Sequence, residues 1–144
     1  MTYSMPRGPR GARSAQAYAS IGLETKVLSA SPEGLITLLY DGALAAIAKA
    51  KLYMQTNDIA GRGKSISKAI EIVDSGLKAS VNTEIGGELA QNLVTTYELI
   101  SRHLLLANLN ADLAKLELAE RMLSEIAQAW RTAVDSAKSD AVTP

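Results

Sequence analysis

Apolar positions recur along this chain with the spacing of one helix face, and from Ser31 onward they fall into four long runs. The first opens "SPEGLITLLYDGALAAIAKA". Ser31 is a preferred N-cap, Pro32 is tolerated at the first helical position, and Glu33 sits where the helix dipole favours an anion. Ile36, Tyr40, Ala43, Ile47 and Met54 trace one face. Leu35, Leu38 and Leu39 widen it, so the helix carries more apolar width than a single buried stripe needs. It is expected to end at about Thr56, where "TND" breaks the pattern and Asn57 or Asp58 caps the next helix.

The second run places Ile59, Ile66, Ala69, Ile70, Val73, Leu77 and Val81 on one side. Lys64, Lys68, Glu71, Asp74, Ser75 and Lys78 lie opposite. Gly61 and Gly63 weaken its first turns, each by up to about 1 kcal/mol relative to Ala. "NTEIGGE" separates it from a third run, with Gly86–Gly87 read as a tight entry. There Leu89, Leu93, Tyr97, Ile100, Leu104 and Ala107 form the stripe, broadened by Val94 and Leu105. After "NLNAD", where Asn110 or Asp112 supplies the cap, a fourth run carries Leu113, Leu116, Leu123, Ile126, Ala127, Trp130 and Val134, broadened by Leu118 and Met122. No stretch alternates with period two. Short links between long helices favour antiparallel neighbours, so the expected fold is all-α: an antiparallel four-helix bundle over residues 17–136, with a frayed end at 137–144.

Ahead of the first long helix, "AYASIGLETKVLSA" places Tyr18, Ile21, Val27 and Leu28 at partly helical spacing, interrupted by Gly22. A segment this short has too little apolar area to fold alone and is expected to lie on the side of the bundle. Residues 1–16 contain Pro6, Pro9, Gly8 and Gly11, with Arg7, Arg10 and Arg13 unopposed before Glu24. They read as a disordered basic tail, and three arginines without interleaved aromatics make a poor nucleic-acid arm.

Composition narrows the function. The chain of 144 residues is 47% hydrophobic yet has no Phe and one Trp, so its core must be built from Leu, Ile, Val and Ala. A formal net charge of zero gives no overall attraction to nucleic acid. Without Cys there is neither a disulfide framework nor a thiolate site, which fits a cytosolic protein. No apolar run reaches membrane-spanning length; Asp41 interrupts the best one.

Catalytic chemistry finds little to work with. His103 is the single histidine, and it follows Leu99 and Ile100, so no Glu-x-x-His metal pair exists. A phosphotransfer histidine usually has Lys and small residues after it, whereas "HLLLAN" follows here. "GRGKS" lacks the preceding strand and the first glycine of a phosphate loop. No metal, cofactor or catalytic set is expected. Tyr40, Tyr53, Tyr97 and Trp130 read as core aromatics whose polar atoms need partners and so lie near the bundle surface. What remains is a helical binding module with spare apolar surface.

The motifs "SASPEGLITLLYDGA", "GGELAQNLVTTY" and the closing "AW", in this order and at these separations, closely resemble the flagellin-specific export chaperone family, FliS. The similarity runs from about Ala17 to Ala133. It implies a four-helix bundle with the preceding segment on its side, and binding without catalysis. It further implies a client, the disordered C-terminal region of flagellin, held in the cytosol until delivery to the flagellar type III export gate. By motif, Tyr18 matches the family's "AY", with Ile21, Val27 and Leu28 in the same client-binding segment. Tyr40, Asp41 and Gly42 match "YDGA", with Gly42 and Ala43 at close helix packing. The partner-binding residues expected are thus Tyr18, Ile21, Val27, Leu28, Tyr40, Ile47 and Tyr97. His103 stands where the family commonly has Arg, Ala111 where an Asn often precedes the Asp, and the arginine-rich tail is longer than usual. A helical adaptor or signalling bundle with a different helical partner is the alternative.

Overall fold

The computed structural model describes residues 31–142, which contain helices and turns and no strand. The tail of residues 1–16 and the segment before Ser31 lie outside the described residues. The helices are α1 (Pro32–Gln55), α2 (Ile59–Glu71), α3 (Thr83–Asn110) and α4 (Leu113–Val142). A π-helical turn, Ile72–Leu77, and a 3-10 turn, Lys78–Ser80, continue α2. From Ile36 onward the chain forms one compact unit.

Local chemistry sets the boundaries close to where the sequence places them. Ser31 Oγ accepts from Gly34 N at 3.1 Å and starts α1. Asp58, not Asn57, caps α2 by accepting from Gly61 N at 2.9 Å, while Asn57 takes a left-handed φ of 59° in the turn. Asp112 caps α4 by accepting from Lys115 N at 3.2 Å. Ala111 ends α3 in the left-handed region at φ 49°, ψ 46°, a conformation that costs a residue with a Cβ about 1 kcal/mol and that Asn tolerates better.

Contacts between helices fix their directions. Thr37, Asp41 and Lys51 of α1 meet Trp130, Arg131 and Glu120 of α4, so the two run antiparallel. Tyr53, Gly42 and Leu39 of α1 lie against Gly61, Ile72 and Gly76 of the second helical segment. Arg62, Asp74 and Lys78 of that segment pair with Asn108, Ser101 and Glu98 of α3. Each sequential pair is therefore antiparallel, as the short links require.

The core is aliphatic, as the composition demands. Ile47, Ile66, Val73, Leu77, Ile100, Leu104, Leu116 and Leu123 are fully buried, together with Ala43, Ala50, Ala69, Ala107, Ala119 and Ala127. Much of the extra width of α1 is used inside the bundle. Leu39 is half-buried with its methyls over Gly76, where a Cβ would lie 3.0 Å away. The π-turn contributes Val73 and Leu77 to the core. Two positions in the expected stripes do not reach the core: Ile59 and Leu89 are exposed.

The aromatic polar atoms find partners in two ways. Tyr40 and Tyr97 are buried, and their hydroxyls share a hydrogen bond of 2.5 Å, so this pair is satisfied inside the bundle and not at its surface. Burial raises the pKa of both phenols, so both are neutral and one donates to the other. Trp130, half-buried, donates its indole N–H to Thr37 Oγ1 at 3.0 Å, in keeping with the surface position expected.

Two tests follow from this packing. A Cβ on Gly61 would fall 2.8 Å from the Tyr53 ring, whereas one on Gly63 would meet only the Asn108 side chain at 3.8 Å. Gly61→Ala is expected to lower stability by about 1–3 kcal/mol through overpacking and Gly63→Ala to raise it by about 0.5–1 kcal/mol, measured by urea unfolding. Tyr40→Phe and Tyr97→Phe are each expected to cost about 1–3 kcal/mol by orphaning the other hydroxyl. The double variant should lose less than the two single losses added; additivity would show that the hydroxyls are not coupled.

Candidate partner-binding surface

The described residues hold no group of His, Asp and Glu able to bind a metal, and no helix among them is long and apolar enough to cross a membrane. What they carry is exposed aliphatic surface. Leu52 at the end of α1, Ile59 at the start of α2, and Leu99, Leu105 and Leu109 on α3 each expose between 43% and 69% of their area. Arg62 ties the start of α2 to the end of α3, its Nε donating to Asn108 Oδ1 at 3.1 Å and its Nη2 to the Asn108 carbonyl at 3.0 Å. Ile59 and Leu109 each lie one residue or one turn from that tie. The end of the bundle at the α1–α2 and α3–α4 turns is thus rich in uncovered aliphatic side chains, of the sort that marks an interaction site. Leu105 and Leu109 stand one turn apart and form a short ridge on α3.

The residues expected to bind a partner separate into two groups. Tyr18, Ile21, Val27 and Leu28 lie outside the described residues. Tyr40, Ile47 and Tyr97 are in the core, with relative exposures of 3%, 0% and 2%. A partner has no surface of theirs to touch while the bundle is closed, so they shape the scaffold and not its contact face. Period alone could not separate them from contact residues, because a wide apolar face looks the same whichever part of it is covered. Leu52 and Leu109 escaped notice for a related reason: they sit at helix ends, where the neighbouring helix has already turned away.

Some of the surface charge is paired. Lys51 Nζ lies 2.9 Å from Glu120 and 3.9 Å from Glu117, which raises its pKa. Asp41 of the "YDGA" motif, exposed, forms an ion pair with Arg131. His103 is half-buried on α3, and its Nδ1 has no hydrogen-bond partner among the described residues. Burial, then the positive charges of Lys115 and Arg102, depress its pKa. A histidine that prefers to be neutral in the folded state stabilises fully above its unfolded pKa of about 6.5, and that contribution declines as pH falls below this value. Because no other histidine exists, His103→Gln is expected to flatten the fall in urea midpoint between about pH 7.5 and 5.5. An unchanged slope would show that His103 carries none of it.

A family model described as "Flagellar protein FliS" matches residues 14–137. The flagellar secretion chaperone FliS of Escherichia coli (strain K12) is 46% identical over 120 residues, covering 83% of this chain and 88% of that protein. The flagellar secretion chaperone FliS of Salmonella typhimurium is 46% identical over 116 residues, covering 81% and 86%. The flagellar secretion chaperone FliSB of Pseudomonas aeruginosa is 36% identical over 113 residues, covering 78% and 89%. The motifs, the four helices and the relatives matched over most of their length agree: this chain belongs to the FliS family and is a flagellar export chaperone, in a family of chaperones and not of enzymes.

Proposed function

We propose that the protein binds the disordered C-terminal region of flagellin in the cytosol, prevents its premature polymerisation, and delivers it to the gate platform of the flagellar type III export apparatus. The observation that carries this reading is the uncovered aliphatic surface of α3 and of the α1–α2 end, headed by Leu105 and Leu109, in a member of a flagellar secretion chaperone family. A client that polymerises through amphipathic helices needs its apolar faces covered before export. An exposed ridge on a rigid bundle offers those faces a place to fold as helices. Coupled folding of this kind buries on the order of 1,000–3,000 Å² and spends several kcal/mol on ordering, so a large contact stays releasable.

Tyr18, Ile21, Val27 and Leu28, matched by motif to the family's client-binding segment, take part in holding the client. Tyr18 makes the first contact in this scheme. Tyr40, Ile47 and Tyr97, buried in the core, hold the bundle that carries this surface.

Calorimetry with full-length flagellin and with flagellin lacking its C-terminal segment tests the reading. Binding is expected only in the first case; survival of binding after the deletion would favour an adaptor with a different helical partner. Tyr18→Ala is expected to weaken binding by about tenfold, near 1.4 kcal/mol, with helicity and melting temperature nearly unchanged. A large loss of helicity would make Tyr18 a core residue instead.

A further inference from the structure

The corner between the 3-10 turn and α3, at the opposite end of these helices from Leu52 and Leu109, carries a surface that the core does not use. Every residue from Asn82 to Leu89 is exposed. Ile85 and Leu89, at 86% and 79%, are the two most exposed large aliphatics among the described residues. The corner is nevertheless fastened. Asn82 Oδ1 accepts from Glu84 N and Ile85 N at 3.1 Å, and Gly86 N donates to the Asn82 carbonyl at 2.9 Å. Gly86 sits so close to Ala90 that a Cβ there would lie 2.5 Å from the Ala90 methyl. Gly87, at φ 60° and ψ −137°, makes the bend that leads into the long part of α3. Ile85 and Leu89 are therefore held outward on an ordered backbone, which lowers the cost of binding.

The charged residues next to them in the sequence have one sign. Glu84 and Glu88 flank the two aliphatics, and no Lys or Arg occurs between Lys78 and Arg102. Lys78 is engaged with Glu98 at 3.5 Å, and neither Glu84 nor Glu88 forms a salt bridge among the described residues. We propose that this corner is a docking surface for a cationic amphipathic helix of a protein partner, its apolar stripe on Ile85 and Leu89 and its Lys or Arg residues beside Glu84 and Glu88. A second copy of this chain fits poorly, because it brings the same carboxylates to face these. An anionic membrane is repelled for the same reason. The surface uses different residues from those that carry the client reading, and it stands or falls separately from flagellin binding.

The test uses the full chain and two labelled synthetic peptides, an amphipathic Lys/Leu helix and its Glu/Leu counterpart, followed by fluorescence anisotropy at low and physiological salt. The Lys/Leu peptide is expected to bind, more tightly at low salt, and the Glu/Leu peptide to bind at least about tenfold more weakly. Ile85→Ser with Leu89→Ser should weaken Lys/Leu binding by about tenfold or more, and Glu84→Gln with Glu88→Gln should weaken it and reduce its salt dependence. All these positions are exposed, and circular dichroism checks that the variants stay helical. Equal binding of the two peptides or an unaffected Ile85/Leu89 variant would overturn the proposal. So would self-association in sedimentation equilibrium that the Ile85/Leu89 variant abolishes, since that would make a second copy the occupant.

Discussion

Close helix approach, set by alanine, is the constraint on which this bundle depends. Ala43, Ala46 and Ala50 line the inward face of α1, Ala69 that of α2, Ala107 that of α3, and Ala119 and Ala127 that of α4, all buried. Glycine extends the same device at the seam between α1 and the π-turn, where Gly42 meets Ile72 and Gly76 meets Leu39. Small side chains draw the helices together, and a chain without Phe has few large groups to hold them apart. The interior is then too narrow for every aliphatic residue the helices carry. Each Leu left outside forgoes about 1.5–3 kcal/mol of burial, and that uncollected free energy is what a client or partner can recover.

The Tyr40–Tyr97 pair is where a narrow core accepts bulk. Two phenols enter from α1 and α3 and satisfy each other across the middle, so neither hydroxyl has to reach water. Their mutual dependence also sets which surfaces stay free. With both rings inside, the exposed apolar area includes aliphatic residues nearer the helix ends, Leu52, Ile59 and Leu109. Rigidity follows from the same arrangement, since an α1 pinned by Tyr40, by the Thr37–Trp130 hydrogen bond and by the Asp41–Arg131 ion pair has little room to slide. A stiff scaffold with uncovered patches gives up little conformational freedom when a partner docks on it.

The exposed patches at the two ends of the helices differ in character. At the α1–α2 end, Leu52, Ile59 and Leu109 lie among residues of both signs, including Arg62, Asp58 and Lys49. At the α2–α3 corner, the charged residues beside Ile85 and Leu89 in the sequence are the carboxylates of Glu84 and Glu88. Apolar area makes both sticky, and charge decides for whom. Two chemically distinct patches are a means by which one small bundle could discriminate between partners.

The 3.6-residue rhythm, the caps at Ser31, Asp58 and Asp112 and the absence of Phe and Cys were enough to establish four antiparallel helices and an aliphatic core, because those features act within one or two turns of chain. The ordered set of motifs was enough to identify the family. Sequence did not decide which part of a wide apolar face is covered, since that depends on what stands opposite. Tyr40, Ile47 and Tyr97 belong to stripes that could equally have faced a partner, and only the packing of α1 on α3 and α4 put them inside. Ile59 and Leu89 keep perfect helical register yet lie beyond the reach of a neighbouring helix. The winding change at Ile72–Leu77 was likewise invisible, whereas the bend at Gly87 falls at the Gly86–Gly87 entry that the sequence marks, because a positive φ is a local preference of glycine.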